Sequence, residues 1–422
     1  MDGEIVVGLD IGTTKICAVL AAEDDLEGIH ILGVGVAESE GLNRGVVVNI
    51  DKTVAGIREA IEKAERAAGV TVRNVIVGIA GDHVQSFQSR GVITTHRDGE
   101  ITERDVQRLL EDTTHVAMPA DREILHVLPQ EFIVDGQDGV VDPVGMNGVR
   151  LEANVHIVTG LVSAARNIYR CVEKAGYTVA DIVLEPLASS YSVLHQDEKE
   201  VGVALIDIGG GTTDIAVFED KTIRHTGVIA VAGNKVTDDI RKGLGLMKDQ
   251  AEQLKKQYGT AIVDMNVPDE TIAIPGIGGR TEKTISRSAL TQIIQPRLEE
   301  ILEIAGIEIK RSGYARHLGA GVVLTGGGSM VPGTAALAAE VLGVEARVGI
   351  PTGLGGGMVK EVSDPKYATA VGLVLYGLRP NLMGREFLAQ KERWSAGNAH
   401  AHGEESGARR IVERMTRWFQ EL

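Results

Sequence analysis

The chain has 422 residues, enough for two or more domains with cores of their own. Its 43 Lys and Arg against 59 Asp and Glu leave a net charge of −16, which excludes a nucleic-acid binder working through its general surface. The only cysteines, Cys17 and Cys171, lie in apolar periodic segments without zinc spacing, so two buried, reduced thiols are expected.

Met1-Asp2-Gly3-Glu4 is acidic and runs straight into a strand pattern, unlike a signal peptide. No apolar run nears the ~20 residues that span a bilayer, so any membrane contact is expected to be peripheral. Apolar alternation then predicts strands near 4–11, 15–22 and 29–37, a helix over 52–69 and a strand over 73–80. The helix carries Val54, Ile57, Ile61 and Ala64 on one face and stops at Gly69. Between the third strand and this helix, Glu38–Asp51 is too short for a domain. The stretch from His83 to Thr159 is longer and has strand and helix patterns of its own, including Thr102–Thr113 with Val106, Leu109 and Leu110 as its apolar face.

A helix over 163–176, a strand over 179–184 and a short helix over 187–195 complete the first half. The second half repeats the order: strands near 201–208, 213–219 and 222–231, then a helix from Gly233-Asn234. An insertion from Leu244 to Arg316 follows, with a long helix from Ser286 to Arg311 expected to bend at Pro296. Then come a strand over 320–325, helix 332–342, strand 345–350 and helix 366–376. The fold class is therefore α/β, a duplicated ribonuclease-H-like fold whose two βββαβαβα halves face each other across a cleft. The first half spans 1–82 and 160–199 with insertion 83–159, and the second spans 200–243 and 317–383 with insertion 244–316.

The same device ends the first strand of each half. Asp10-Ile11-Gly12-Thr13-Thr14 and Asp207-Ile208-Gly209-Gly210-Gly211-Thr212-Thr213 each join two apolar runs through a tight turn. Glycines let backbone N–H groups approach phosphate oxygens, and threonine hydroxyls add donors. An Asp at each strand end, Asp10 and Asp207, can orient a magnesium ion and its water shell. Lys15 can reach a phosphate as a point charge. A third cluster, Gly326-Gly327-Gly328 before Ser329-Met330, opens a buried strand into a helix and can admit a flat base and ribose. Gly233, Asn234 and Thr237 start a helix facing the same cleft. The run Gly353–Gly357 has no strand–Asp turn before it and is expected to be a flexible loop.

From Gly384 the periodicity fails, and 384–407 is expected to be a flexible linker. His400 and His402 within it lack the further ligands a metal would need. Residues 408–422 recover a helical period: Ile411, Val412, Met415, Trp418, Phe419 and Leu422 form one face, ringed by Arg409, Arg410, Arg414 and Arg417. Such a helix suits an anionic lipid surface, with about 1 kcal/mol per basic residue added to apolar burial. A single copy binds modestly, so an array of copies would reinforce the attachment.

Taken together, the two phosphate turns, Gly326–Gly328, Leu184-Glu185-Pro186-Leu187-Ala188-Ser189 and Tyr367-Ala368-Thr369-Ala370-Val371-Gly372 resemble the five motifs of the actin/Hsp70/sugar-kinase ATPase superfamily. Within it the chain resembles the FtsA family of bacterial cell-division proteins. The insertion point, Asp142-Pro143-Val144-Gly145-Met146-Asn147-Gly148-Val149-Arg150, Ala232-Gly233-Asn234 and Val331-Pro332-Gly333 carry that likeness. The resemblance implies ATP and Mg2+ in the cleft, with ATP closing it and the closed form assembling into filaments. It further implies that the second insertion binds the C-terminal peptide of the tubulin-like protein FtsZ, with Arg280 and Arg297 at matching positions. Later division proteins would dock on the first insertion. The expected place of action is the cytoplasmic face of the cell membrane at the division site. Glu185 stands where relatives polarise the attacking water. Since FtsA-like proteins are at best slow ATPases, that role and a structural carboxylate at the hinge both stay open. A sugar-kinase-like phosphotransfer enzyme and a pilus-assembly adaptor are the alternatives, neither of which has a use for a cationic amphipathic tail.

Overall fold

A computed structural model describes residues 4–24, 28–95, 99–263, 269–274 and 282–378. The first half is built on a six-stranded sheet in the order Thr178–Leu184, Asn74–Ile79, Ile5–Ile11, Lys15–Asp24, Gly28–Glu38, Gly356–Gly357. The second has a five-stranded sheet in the order Thr222–Ile229, Thr213–Glu219, Val203–Ile208, Val322–Thr325, Ala346–Val348. In both, the strand ending in Asp-Ile-Gly is central. It pairs antiparallel with the strand after its turn and parallel with the strand on its other side. Val203–Ile208 is buried at every position, as a strand covered on both faces must be.

The helices form where capping and one apolar face agree. Ile50–Ala68 begins at Asn49, whose side chain accepts the Lys52 N–H, and closes at Gly69 in the left-handed conformation. It buries Ile57, Ala60, Ile61 and Ala64 against the sheet. Two other helices cross between the halves. Glu185–Val193 leaves the first sheet and packs on the second, while Ala368–Leu378 returns from the second half to the strands of the first. They meet at Gly372, where any Cβ would collide with the Ala188 carbonyl oxygen.

The first insertion is a four-stranded antiparallel sheet in the order Gln85–Thr94, Arg150–Leu161, Arg122–Val134, Gln137–Val140. Helix Glu103–Thr114 covers it, held at its start by a reciprocal Thr102–Asp105 capping box. Its core is its own: Ile101, Val106, Leu109, Leu110, Phe132, Leu151 and Val155 among others. It also reaches the other half. Ser86 Oγ donates to Thr226 O at 3.0 Å, Gln88 Nε2 to Arg224 O at 3.0 Å and Gln130 Nε2 to Ile223 O at 2.7 Å, all on the edge strand of the second sheet.

Several expectations need correcting. Gly353–Gly357 is not a free loop: Gly356 and Gly357 pair in parallel with His30 and Ile31 and form the sixth strand of the first sheet. The second insertion holds an unforeseen helix, Lys248–Tyr258. The expected long helix is present as Arg287–Arg311, with Pro296 inside it. Both cysteines are buried free thiols. Among the described residues no helix is long and apolar enough to cross a membrane. Arg280, the linker 384–407 and the terminal helix 408–422 lie outside the described residues.

Candidate functional site

The two Asp-Ile-Gly turns meet at a cleft of about 920 Å³ between the halves. Each closes in the same way, the Gly12 N–H donating to Lys15 O at 3.0 Å and the Gly209 N–H to Thr212 O at 2.9 Å. The copies are complementary rather than identical. Counting from each Asp, Thr13 and Thr14 correspond to Gly210 and Gly211, and Cys17 to Asp214. A side chain on Gly210 would collide with Thr14, and a Cβ on Gly211 would stand 2.6 Å from Thr13 Oγ1. The glycines of one turn thus make room for the threonines of the other. Thr13 is held in place by the Gly45 N–H, which donates to its Oγ1 at 3.1 Å.

Four carboxyl groups surround these turns. Asp10 and Asp207 end the central strands, Asp214 pairs across the ladder from Asp207, and Glu185 is the first residue of the helix that leaves the sheet. Lys15 Nζ is 2.8 Å from Asp10 Oδ2. Burial opposes the charge on Lys15, but Asp10 beside it outweighs this and raises its pKa. Burial pushes Asp207 up to about 6, against the lowering pull of the Ser189 hydroxyl. Burial and the neighbouring Asp207 push Asp214 up to about 8. Glu185 is raised well above the carboxylate range, first by burial, then by Asp10, Asp214 and Asp207. Asp214 Oδ1 is buried and has no hydrogen-bond partner. Glycine turns and threonine hydroxyls suit an anion, yet Asp10 and Asp207 beside one lysine oppose a bare one. A divalent cation with its water shell resolves both, because it supplies the missing charge and donors for the orphaned oxygen. Among the described residues no three acidic, His or Cys side chains form a direct ligand set. An ion at Asp10 and Asp207 would therefore be met through its waters.

The far wall is formed by Gly326, Gly327, Gly328, Met330, Val331 and Pro332, with Gly233 and Asn234 beside them. Thr237 is fully buried behind this wall. Its Oγ1 contacts Gly233 O at 3.3 Å, Lys255 Nζ at 2.9 Å and, at short range, Glu252. Glu252 and Lys255, themselves 2.7 Å apart, line the cleft from helix Lys248–Tyr258 together with Lys248, Asp249 and Lys256. Sequence reasoning missed this group. Its signal is the three- and four-residue spacing of Asp249, Glu252, Lys255 and Lys256 on one helix face. Asp214 and Thr369 were also missed as cleft residues.

Of the expected phosphate-turn residues, Gly12, Thr13, Thr14, Lys15, Gly209, Gly210, Gly211 and Thr212 line the cleft. Thr213 is a correction: it is fully buried and its hydroxyl donates to Val231 O at 2.8 Å, because strand alternation turns it away from the cleft. Arg297 stands apart from this site on the second insertion. Its Nε is 2.6 Å from Asp239 Oδ2, and its Nη1 pairs with Glu300.

Known proteins resemble the chain along most of its length. The family model for cell division protein FtsA matches residues 204–372, and that for the SHS2 domain inserted in FtsA matches residues 81–159. The chain is 43% identical over 419 residues to cell division protein FtsA of Pseudomonas aeruginosa, covering 99% of this chain and 98% of that one. It is 36% identical over 404 residues to FtsA of Escherichia coli K12, covering 94% and 96%. Among solved structures, a PilM-PilN type IV pilus biogenesis complex gives a TM-score of 0.64 at 17% identity, covering 88% of this chain and 98% of that one. MreB5 of Spiroplasma citri bound to ADP gives 0.54 at 14% identity, covering 90% and 98%. At such identities the structural likeness establishes the actin-like ATPase fold alone. The sequence relatives do not favour the kinase and pilus-adaptor alternatives. The chain belongs to the FtsA family of cell-division proteins.

Proposed function

We propose that the chain binds ATP with Mg2+ in the cleft and uses it as an assembly switch for a membrane-bound division scaffold. The observation that carries this reading is the interlock of the two phosphate turns beside the third glycine wall. Gly12, Thr13, Thr14, Lys15 and Gly209–Thr212 would receive phosphates, and Gly326–Gly328 with Met330 the adenosine. When bound, Mg2+ supplies the charge that offsets Asp10 and Asp207. Lys15 is then free to exchange Asp10 for a phosphate oxygen. Glu185 would stand beside the phosphates, where burial and the carboxyls of Asp10, Asp214 and Asp207 favour its neutral form.

The scaffold would self-assemble in its closed, ATP-bound form and lie on anionic lipid at the cytoplasmic face of the division site. Helix 408–422 would be the anchor, with Arg409, Arg410, Arg414 and Arg417 at the headgroups. The FtsZ C-terminal peptide would bind the second insertion, through Arg280 and through Arg297 once an acidic group displaces Asp239 or Glu300. Further division proteins would dock on residues 83–159.

Co-sedimentation with anionic vesicles in ATP and Mg2+ tests these parts together, using a labelled FtsZ-tail peptide. The full chain should carry the peptide into the pellet, and a chain ending at Gly407 should leave both in the supernatant. Arg297→Glu should pellet without peptide. Equal pelleting of the truncated chain would remove the membrane anchor, and peptide carried by Arg297→Glu would remove that arginine from the partner site.

A further inference from the structure

Asp207 is gripped by hydroxyls from both helices that cross between the halves. Ser189 Oγ, on Glu185–Val193, donates to Asp207 Oδ2 at 2.7 Å. Thr369 Oγ1, on Ala368–Leu378, lies 3.4 Å from the same oxygen and 3.0 Å from Ser189 Oγ. Ser189, Thr369 and Asp207 are all buried, so water does not replace these contacts cheaply. The other oxygen, Oδ1, stands against Gly326, whose φ of 80° and missing Cβ leave it room: a side chain there would collide with Oδ1. One carboxylate oxygen is therefore committed to the hinge, and the other is left beside the cleft wall.

We infer that Ser189 and Thr369 are positioning residues: together they fix the Asp207 carboxylate so that one oxygen addresses the bound cation, and they tie that carboxylate to the crossing of the two hinge helices. The inference rests on the nucleotide–Mg2+ reading above. A carboxylate acting on a hydrated ion must be held in one rotamer, and hydrogen bonds from outside the ion's own shell commonly do this, their loss costing about 10–100-fold in metal affinity. Two independent helices supply the donors here, so a cation that draws Asp207 toward itself also pulls on both. That gives a physical route from cleft occupancy to the relative placement of the halves.

Ser192 separates positioning from mere packing. It lies one turn further along the same helix, and its Oγ donates to Ala368 O at 2.7 Å. It ties the same two helices together, but its hydroxyl bonds to Ala368 O and Ser189 O rather than to Asp207.

The test is the ATP dissociation constant of the full-length protein, measured in Mg2+ and again in EDTA, with a thermal midpoint for every variant. The unsubstituted protein should bind ATP more tightly in Mg2+. Ser189→Ala should lose about tenfold of that gain while its affinity in EDTA stays within twofold. Thr369→Val, which keeps the shape, should lose a smaller part, in line with its longer contact. Ser189→Thr, which keeps a hydroxyl, should recover part of the gain. Ser192→Ala should lower the midpoint and keep the whole gain. If Ser189→Ala and Thr369→Val both retain the full gain, or lose it only as Ser192→Ala does, the positioning role is wrong. Should Ser189→Ala fail to fold, Thr369→Val still decides. Absence of any Mg2+ gain in the unsubstituted protein is a different result: it overturns the metal reading and, with it, this inference.

Discussion

Asp214 is the residue at which the charge balance of the cleft is least settled. Its carboxyl is raised from 3.8 to about 8, by burial and then by Asp207. Between those values the folded protein holds a proton that the unfolded chain has released. Unfolding then releases protons, so stability falls as pH rises through this window and the loss is complete above about 8. Asp207, raised to about 6, adds a slope of the same sign over a narrower range. In EDTA the thermal midpoint should therefore decline from pH 5 to pH 8. Asp214→Asn is neutral throughout and should remove much of the decline, with a gain of roughly 1–3 kcal/mol at pH 8. An unchanged slope in that variant would show that Asp214 ionises freely in the fold. The sequence could not single out Asp214. It reads as one polar position within an apolar strand, and only the ladder register sets it opposite Asp207. Thr213, one residue earlier, was misjudged for the same reason: adjacent strand positions face opposite ways.

Elements were legible where their signals are local. The strands ending in Asp-Ile-Gly, the helix that stops at Gly69 and the apolar face Val106, Leu109 and Leu110 of the inserted helix each announce themselves within a few residues. The failures depend on distant partners or on a weak face. Gly356–Gly357 becomes a strand only because His30 and Ile31 offer an edge, which no nearby residue reveals. Helix Lys248–Tyr258 buries only Ala251 and Leu254, too little for an apolar period. The motif Tyr367–Gly372 was recognisable as a motif, yet the need for its glycine is set by the other helix. A methyl group at Gly372 has to enter space held by the Ala188 carbonyl, and both helices have buried neighbours that resist separation. Gly372→Ala is expected to cost about 1–3 kcal/mol by overpacking. It should show as a lower thermal midpoint in the nucleotide-free protein. A midpoint equal to that of the unsubstituted chain would mean that the helices can part at this crossing without loss.

At the scale of the molecule, the halves meet at the crossing helices and at a second seam where the inserted sheet rests on the edge strand Thr222–Ile229. His156 lies within that second seam. It is 1% exposed, with Nε2 at 3.0 Å from Thr226 Oγ1 and Nδ1 at 3.5 Å from Gln88 Nε2. Its ring centroid is 6.4 Å from that of His225, whose Nε2 is in turn 3.0 Å from Glu308 Oε1 on the long helix of the second insertion. Burial, and then His225, push His156 down to about 3. The sign is opposite to that of Asp214. Between about 3 and 6.5 the unfolded chain binds a proton that the folded protein refuses, so stability rises with pH across the window and is lost as pH falls. Below 6.5 the loss grows by up to about 1.4 kcal/mol per pH unit, and it acts on the seam because that is where the imidazole is enclosed. Acid should therefore loosen the inserted sheet from the second half before it disturbs either central sheet. Amide hydrogen exchange resolves this. After correction for the intrinsic rate, Thr222–Ile229 should lose protection at pH 5.5 relative to pH 7.5, while Val203–Ile208 should keep it. His156→Gln cannot take up the proton and can still bond to Thr226, so it should hold the edge strand's protection at both pH values. Equal loss in the variant and the unsubstituted chain would place the acid sensitivity elsewhere than at His156.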